Sequence, residues 1–242
     1  MTSWTRPESV AFPSVWRSFE GKASKRKYWI QDLTEEFEDE VCHYMSTRFI
    51  LDEPLCTHSK LMDDPVLVQR FISKWRDIFK QKLSLICLTK DDNDKTCLVG
   101  CNALEVECKS DKQKHTKEES ASLGIIVGLL EYVYKLKDIF SEIKSDEYLS
   151  ALGLYVLPEY RGEGIGTELL KARRELCIGV GLKTSVTAFT STGGQKSAEK
   201  AGFKDLIVFP YANTEKANPS FKFPGIENET TKFLKIMYNT YM

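Results

Sequence analysis

The sequence predicts an α/β (α+β) fold, a mixed central sheet flanked by helices, and three observations carry that prediction. Runs with the two-residue alternation of strands interleave along the chain with stretches of helical period. Neither an internal repeat nor a low-complexity linker interrupts the 242 residues, so one domain spanning 1–242 is expected, with 1–26 as an N-terminal extension and 109–120 as a mobile loop. A glycine-rich turn, Arg161-Gly162-Glu163-Gly164-Ile165-Gly166, joins an alternating strand directly to an amphipathic helix.

The first expected strand is Lys27-Tyr28-Trp29-Ile30-Gln31, a short aromatic and β-branched run. A helix follows, capped by Asp32 or Thr34, with Glu35 and Glu36 in its first turn and Phe37, Val41, Tyr44 and Met45 as its stripe; it should end near Arg48. Pro54 disfavours helical geometry at Glu53, which puts Glu53 on an irregular or extended stretch just beyond that helix. Asp63-Asp64-Pro65 opens a second helix whose apolar face is Val66, Phe71, Ile72, Trp75, Ile78 and Phe79. The runs 84–89 and 96–106 flank the turn-rich 90–95 and predict an antiparallel hairpin. Residues 109–120 are charged and aperiodic, which reads as a solvated loop. From Ile125 to Ile143 helical spacing recurs through Leu129, Val133, Leu136 and Phe140.

Residues 148–156 alternate and lead through Leu157-Pro158-Glu159-Tyr160 into the glycine turn. Beyond it Ile165, Leu169, Ala172 and Leu176 mark a helix ending near Gly179 to Gly181. A strand at 182–189, a capping turn at 190–194 and a short helix from Gln195 to Ala201 come next, and Gly202 closes the helix. Two late strands, 206–209 and 232–238, flank a proline-containing loop.

Composition narrows the function. With 34 basic and 35 acidic residues the formal net charge is −1, so no global field draws the chain to nucleic acid or to an anionic membrane. No stretch approaches the roughly 20 apolar residues that span a bilayer, and the N-terminus has no apolar signal segment, so a cytoplasmic protein is expected. The seven cysteines are scattered without the close pairing of a zinc site or a secreted disulfide framework, and reduced thiols are expected. His43, His58 and His115 make no metal spacing and read as surface or packing residues; no metal is expected. No apolar helix is left over for a partner subunit, and a monomer is expected.

The glycine turn carries the chemistry. Unpaired N–H groups at a helix start, reinforced by the helix dipole, attract anions, and glycines allow close approach of phosphate oxygens. Gly162, Gly164 and Gly166 leave the N–H groups from Arg161 to Thr167 uncovered, and Arg161 adds a cation. The spacing is neither G-x-G-x-x-G nor one that ends in G-K-[ST], which argues against nicotinamide and P-loop sites. Glycines alone would also suit a tight, ligand-free connection.

The wider string V-L-P-E-Y-R-G-E-G-I-G-T-E-L-L, residues 156–170, resembles the acetyl-CoA motif of the GNAT acetyltransferases, and Ala201-Gly202-Phe203 resembles that family's end-of-helix signal. Asp52-Glu53-Pro54-Leu55 after the first helix looks like the insect arylalkylamine N-acetyltransferases, and the similarity covers most of the chain from Tyr28 to Tyr238. The resemblance implies a GNAT-like domain in which two parallel strands, ending at Val156 and Phe189, splay apart and take pantetheine into the gap. It implies that Leu154, Tyr155 and Val156 hold the pantetheine and thioester, and that Arg161, Gly162, Glu163, Gly164, Ile165, Gly166 and Thr167 hold the pyrophosphate of acetyl-CoA. It makes Glu53 the general base and puts the hydroxyls of Thr190, Ser191 and Thr192 near the active site, where they either order cofactor and water or cap the next helix. Pro54, Thr192 and Tyr211 are candidates for substrate contact. Trp16, Phe49, Tyr155 and Tyr211 are aromatic candidates either for pocket walls or for core.

An alkylammonium has a pKa near 10, so only about one molecule in a thousand is a free amine at neutral pH and a base must take its proton. The free amine would attack the thioester directly in a ternary complex, with the oxyanion held by a backbone N–H near Val156. The sequence departs from the family pattern in its relay groups: Ala198 stands where many members carry a tyrosine, Gly194 where the insect enzymes have a serine, and Pro224-Gly225 where they have proline-histidine. The small-molecule substrate expected is a primary amine of the dopamine, serotonin, tyramine or octopamine type. The alternatives are a polyamine, agmatine or histamine-type amine, a protein amine, and a catalytically silent acyl-CoA-binding module.

Overall fold

A computed structural model of the chain describes residues 4–111 and 124–241. Eight strands form one sheet: β1 (Val15–Glu20), β2 (Lys27–Asp32), β3 (Leu85–Lys90), β4 (Thr96–Cys108), β5 (Glu147–Val156), β6 (Thr184–Phe189), β7 (Lys204–Pro210) and β8 (Phe233–Thr240). Their order is β1-β2-β3-β4-β5-β6-β8-β7, and every neighbouring pair is antiparallel except β5 and β6. Helices cover both faces. α1 (Glu35–Tyr44), α2 (Pro54–His58), α3 (Pro65–Phe79), α4 (Gly124–Tyr134) and α5 (Ile139–Ile143) pack on one, where Trp75, Leu129 and Phe140 join the larger core. α6 (Ile165–Val180) lies on the other, burying Leu169, Ala172 and Leu176 beneath β1 to β5. α7 (Thr192–Lys200) closes the end near β6 with Phe189, Ala198 and Phe203. Among the described residues no helix is long and apolar enough to cross a membrane.

Several elements depart from expectation. The first helix does not end at Arg48: it continues through a π-helical turn, Met45–Phe49, and a last α turn, Ile50–Asp52. It stops at Glu53, whose ψ of 123° is the extended geometry that a following proline favours. The span 125–143 is two helices, because Asp138 caps a new start at Ile139 by accepting from the Ser141 N–H, and Leu136 is exposed between them. Val66, assigned to the apolar face of α3, is also exposed; at the first turn it lies beyond the sheet. Of the loop 109–120, residues 112–120 lie outside the described residues, as does His115.

The segment taken as an N-terminal extension carries β1, paired with β2 through Phe19↔Tyr28, whose rings stack 5.3 Å apart. Arg17, Ser18 and Glu20 break the two-residue alternation by which a strand is read from sequence. Upstream of it, Arg6 reaches Asp32 on β2 in a buried ion pair of 2.9 Å. The same carboxylate accepts from the Ser14 N–H at 2.8 Å and the Trp16 indole at 2.7 Å. Breaking a buried pair leaves one charge uncompensated and costs about 3–5 kcal/mol. Asp32→Ala should lose stability on that scale in urea unfolding, with hydrogen exchange rising first in residues 4–20.

Candidate active site

β5 and β6 run parallel but pair only at Leu149↔Ser185. Beyond that point β5 continues to Val156 and β6 to Phe189 with no further pairing, so the facing main-chain edges of both strands lack ladder partners. A bulge on β5 begins the divergence. From Asn102 to Leu104, two steps on β4, the register on β5 moves three, from Leu154 to Ala151. Gly153 takes φ +122° there, and a Cβ on it would lie 2.2 Å from Met45 Cε in the π turn of α1. The bulged carbonyls are bound by side chains: the Trp75 indole N–H donates to Leu152 at 2.9 Å, and Asn102 Nδ2 donates to Gly153 at 2.7 Å. Asn102 is itself held by the buried Arg173 of α6, whose Nε donates to its Oδ1 at 2.9 Å. Arg173 Nη1 donates to Ser185 Oγ at 3.1 Å and Thr187 Oγ1 at 2.7 Å on β6. Burial lowers the Arg173 pKa to about 10.

The glycine turn lies at the open end of this gap. Gly162 and Gly164 take φ +88° and +92°, a region that L side chains avoid, and no side chain caps the N-terminus of α6. Its first N–H groups are therefore left for a ligand. Arg161 folds back over the turn: Nε donates to the Val156 carbonyl at 3.1 Å, Nη2 meets Asp52 at 2.5 Å, and the guanidinium lies 5.5 Å from the Tyr155 ring centroid. The Glu163 carboxylate turns away from the cavity and accepts from the N–H groups of Ala23 at 3.0 Å and Ser24 at 3.1 Å, between β1 and β2.

Across the gap, Glu53 is the N-cap of α2, and Oε2 accepts from the Cys56 N–H at 2.7 Å. Oε1 is buried with no hydrogen-bond partner. Cys56 is close enough that burial, and then the Glu53 charge, push its thiol well above the ordinary cysteine range.

One cavity of about 740 Å³ contains these parts. Its walls include Glu53 and, of the proposed cofactor positions, Leu154, Tyr155, Val156, Arg161, Gly162, Gly164, Ile165, Gly166, Thr167, Thr190 and Ser191. Glu163, Pro54, Thr192 and Tyr211 lie outside those walls. Thr192 pairs with Thr231 at 2.6 Å, and the Tyr211 hydroxyl donates to the Thr190 carbonyl at 2.7 Å, so both act on the wall from behind. Ser191 caps α7, accepting from the Gly194 N–H at 3.2 Å. Phe49 and Tyr155 face the cavity, whereas Trp16 lies on the far side of the sheet. Sequence reasoning missed Phe71 and Trp75, which read as the apolar face of α3, Ile126 and Leu130 of α4, and Lys22, which lies in the segment 1–26 expected to be an extension.

Just beyond Glu53, His58 clasps the loop between β7 and β8. Its Nδ1 lies 2.9 Å from the Pro224 carbonyl and Nε2 2.9 Å from Glu229. Both partners accept, which favours the doubly protonated ring. Burial opposes the charge, but Glu229 and the Pro224 carbonyl outweigh it and raise the pKa.

These strands and this turn lie within residues 122–205, which match the family model of an acetyltransferase (GNAT) domain. The whole chain is similar to arylalkylamine N-acetyltransferase 7 of the yellow fever mosquito Aedes aegypti, a protein whose own activity assignment is provisional. The two are 35% identical, with 98% of this chain and 99% of that one covered and a TM-score of 0.90. On that relationship the chain belongs to the GNAT acetyltransferases of the insect arylalkylamine N-acetyltransferase type and is an acetyltransferase. Two more distant structures share the fold. Arylalkylamine N-acetyltransferase 2 of Aedes aegypti is 18% identical over 89% of this chain and 99% of that one, at a TM-score of 0.70. A Drosophila melanogaster polyamine N-acetyltransferase is 12% identical over 88% and 99%, also at 0.70. No curated protein matches the sequence.

Two measurements test this geometry. Gly153→Ala should cost about 1–3 kcal/mol in urea unfolding from backbone strain alone, with further loss from the Met45 contact. For His58 the folded pKa is raised, so its contribution to stability is present below the unfolded value of 6.5 and is lost as pH rises through the folded one. The urea midpoint of the wild type should therefore fall relative to His58→Gln between about pH 6 and pH 8; a constant difference would rule out the charged clasp.

Proposed function

We propose that the protein transfers the acetyl group of acetyl-CoA to a small primary amine of the arylalkylamine type, with Glu53 as general base. The observation that carries this reading is the unpartnered, buried Oε1 of Glu53 in the same cavity as the glycine turn and the open edge of β5. The unpaired main chain of β5 and β6 suits the amide groups of pantetheine, which can lie between the strands as an added strand would. The uncapped start of α6 suits the diphosphate. Arg161 is already paired with Asp52, so the turn's backbone, with Thr190 and Ser191 at the end of β6, forms the rest of the cofactor wall.

Acetyl-CoA supplies the activated acyl group. Glu53, directly or through a water, takes the proton of the ammonium; the amine nitrogen then bonds to the thioester carbon, and the developing oxyanion is held by main-chain N–H near Val156. The C–S bond breaks as the nitrogen sheds its second proton to become an amide, and the CoA thiolate, with a pKa of roughly 8.5, leaves and takes up that proton directly or through water. A covalent acyl-enzyme has little support. Cys56 is the cavity thiol among the described residues, and its raised pKa keeps it protonated and unreactive.

An aromatic amine is favoured over a polyamine by the walls. Phe49, Phe71, Trp75, Tyr155 and Tyr160 line the cavity with aromatic side chains, with Ile126 and Leu130 beside them. Only two carboxylates line the cavity among the described residues, and Asp52 is occupied by Arg161. A second ammonium would have no counter-charge of its own.

An amine panel with acetyl-CoA, read by CoA release, should give turnover on arylalkylamines above turnover on agmatine or spermidine; a reversed order would overturn the substrate class. Glu53→Gln keeps an acceptor for the Cys56 N–H but cannot take a proton. It should lower kcat/KM about 100-fold or more at neutral pH and much less as the pH approaches the amine pKa. An unchanged pH profile would remove Glu53 from the mechanism.

A further inference from the structure

We propose that Lys22, carried on the turn between β1 and β2, is a phosphate-binding residue of the cofactor site, and that Glu163 is the residue that positions it. The proposal rests on the acetyl-CoA reading and goes beyond it by assigning the cation of the glycine turn to a segment outside the motif.

Four observations lead there. The Lys22 stem lies across the turn: its Cε, Cδ and Cγ are 3.1, 3.5 and 3.6 Å from where a Cβ of Gly164 would stand, and the residue lines the cavity. Gly164 therefore does two things, taking φ +92° and leaving room for a lysine to reach the start of α6. Second, the Lys22 side chain makes no hydrogen bond or ion pair among the described residues, although it stands beside an acidic residue of the turn. Third, Arg161, the obvious cation by sequence, is held by Asp52, by the Val156 carbonyl and over the Tyr155 ring.

Fourth, the β1–β2 turn is fixed to the glycine turn by main-chain chemistry. The Glu163 carboxylate accepts from the N–H groups of Ala23 and Ser24, and the Lys22 N–H donates to the Glu163 carbonyl at 3.2 Å. Gly21 makes room for that carboxylate, since a Cβ there would lie 2.4 Å from Glu163 Oε2. This explains an acid inside an anion-binding turn. Its charge is spent on two N–H groups away from the cavity, and the segment it holds delivers a lysine in its place. On the other side of the cavity Lys196 and Lys200 of α7 line the wall, so the diphosphate end lies between cations from two separate elements.

The test compares acetyl-CoA with S-acetyl-pantetheine, which lacks the diphosphate, on wild type, Lys22→Met, Lys22→Arg, Glu163→Ala and the double variant, with binding read by calorimetry. Lys22→Met should weaken acetyl-CoA roughly tenfold or more, leave S-acetyl-pantetheine and the amine KM unchanged, and be largely rescued by Lys22→Arg. Glu163→Ala should weaken acetyl-CoA less, and adding it to Lys22→Met should cost under about twofold more, because the two act through one contact. Equal acetyl-CoA affinity in Lys22→Met, an equal loss for both thioesters, or additive effects of the two substitutions would overturn the assignment while leaving the acetyl-CoA reading in place. Wild-type protein that binds neither thioester would overturn both. Lys22 is exposed, and an unchanged melting temperature for Lys22→Met excludes misfolding as the cause.

Discussion

Arg173 stands fully buried on α6 where the ladder between β5 and β6 stops, donating to Asn102 on β4 and to Ser185 and Thr187 on β6. Ser185 in turn donates to the Leu149 carbonyl, at the last point where the strands pair. A guanidinium without a counter-ion is costly in an interior, and burial accordingly lowers its pKa. Its three hydrogen bonds tie β6 to Asn102 on β4, and Asn102 carries the link on to the Gly153 carbonyl of β5. With the Gly153 bulge bound by Asn102 and Trp75, the arrangement converts a closed parallel ladder into a slot lined by main-chain donors and acceptors.

The charges around the slot are mostly committed in advance. Asp52 closes the first helix and pairs with Arg161 of the glycine turn, so the turn is tied to the residue directly before Glu53. Glu163 ties the same turn to the N-terminal hairpin. His58, at the end of the short helix that Glu53 caps, ties that helix to the β7–β8 loop. Segments distant in sequence meet around one cavity through these contacts. A net charge of −1 conceals this organisation, because the balance is struck locally and not over the surface as a whole.

Local signals were legible where a single residue sets backbone geometry. Pro54 predicted the extended Glu53, Gly181 the end of α6, and Asp64 with Pro65 the start of α3. Errors came where tertiary packing overrides pattern. The π turn at Met45–Phe49 and the α turn at Ile50–Asp52 carry the first helix four residues past the expected stop at Arg48, and the π turn brings Met45 against Gly153, a contact that no periodicity announces. The edge strand β1 escapes the pattern because it is half polar, and the turn that carries Lys22 follows it.

The sequence by itself determined the glycine turn, the strand before it and the break at Glu53, because local sterics alone let glycine take the left-handed angles of the turn and make proline bar helical geometry from the residue before it. Only the tertiary structure decided which charges face the cavity. Arg161 is paired, Glu163 points away and Lys22 lies along the cavity, and each outcome depends on contacts between residues 109 to 142 positions apart. Spacing along a chain carries no information about those meetings, since they are set by how the sheet brings separate turns together.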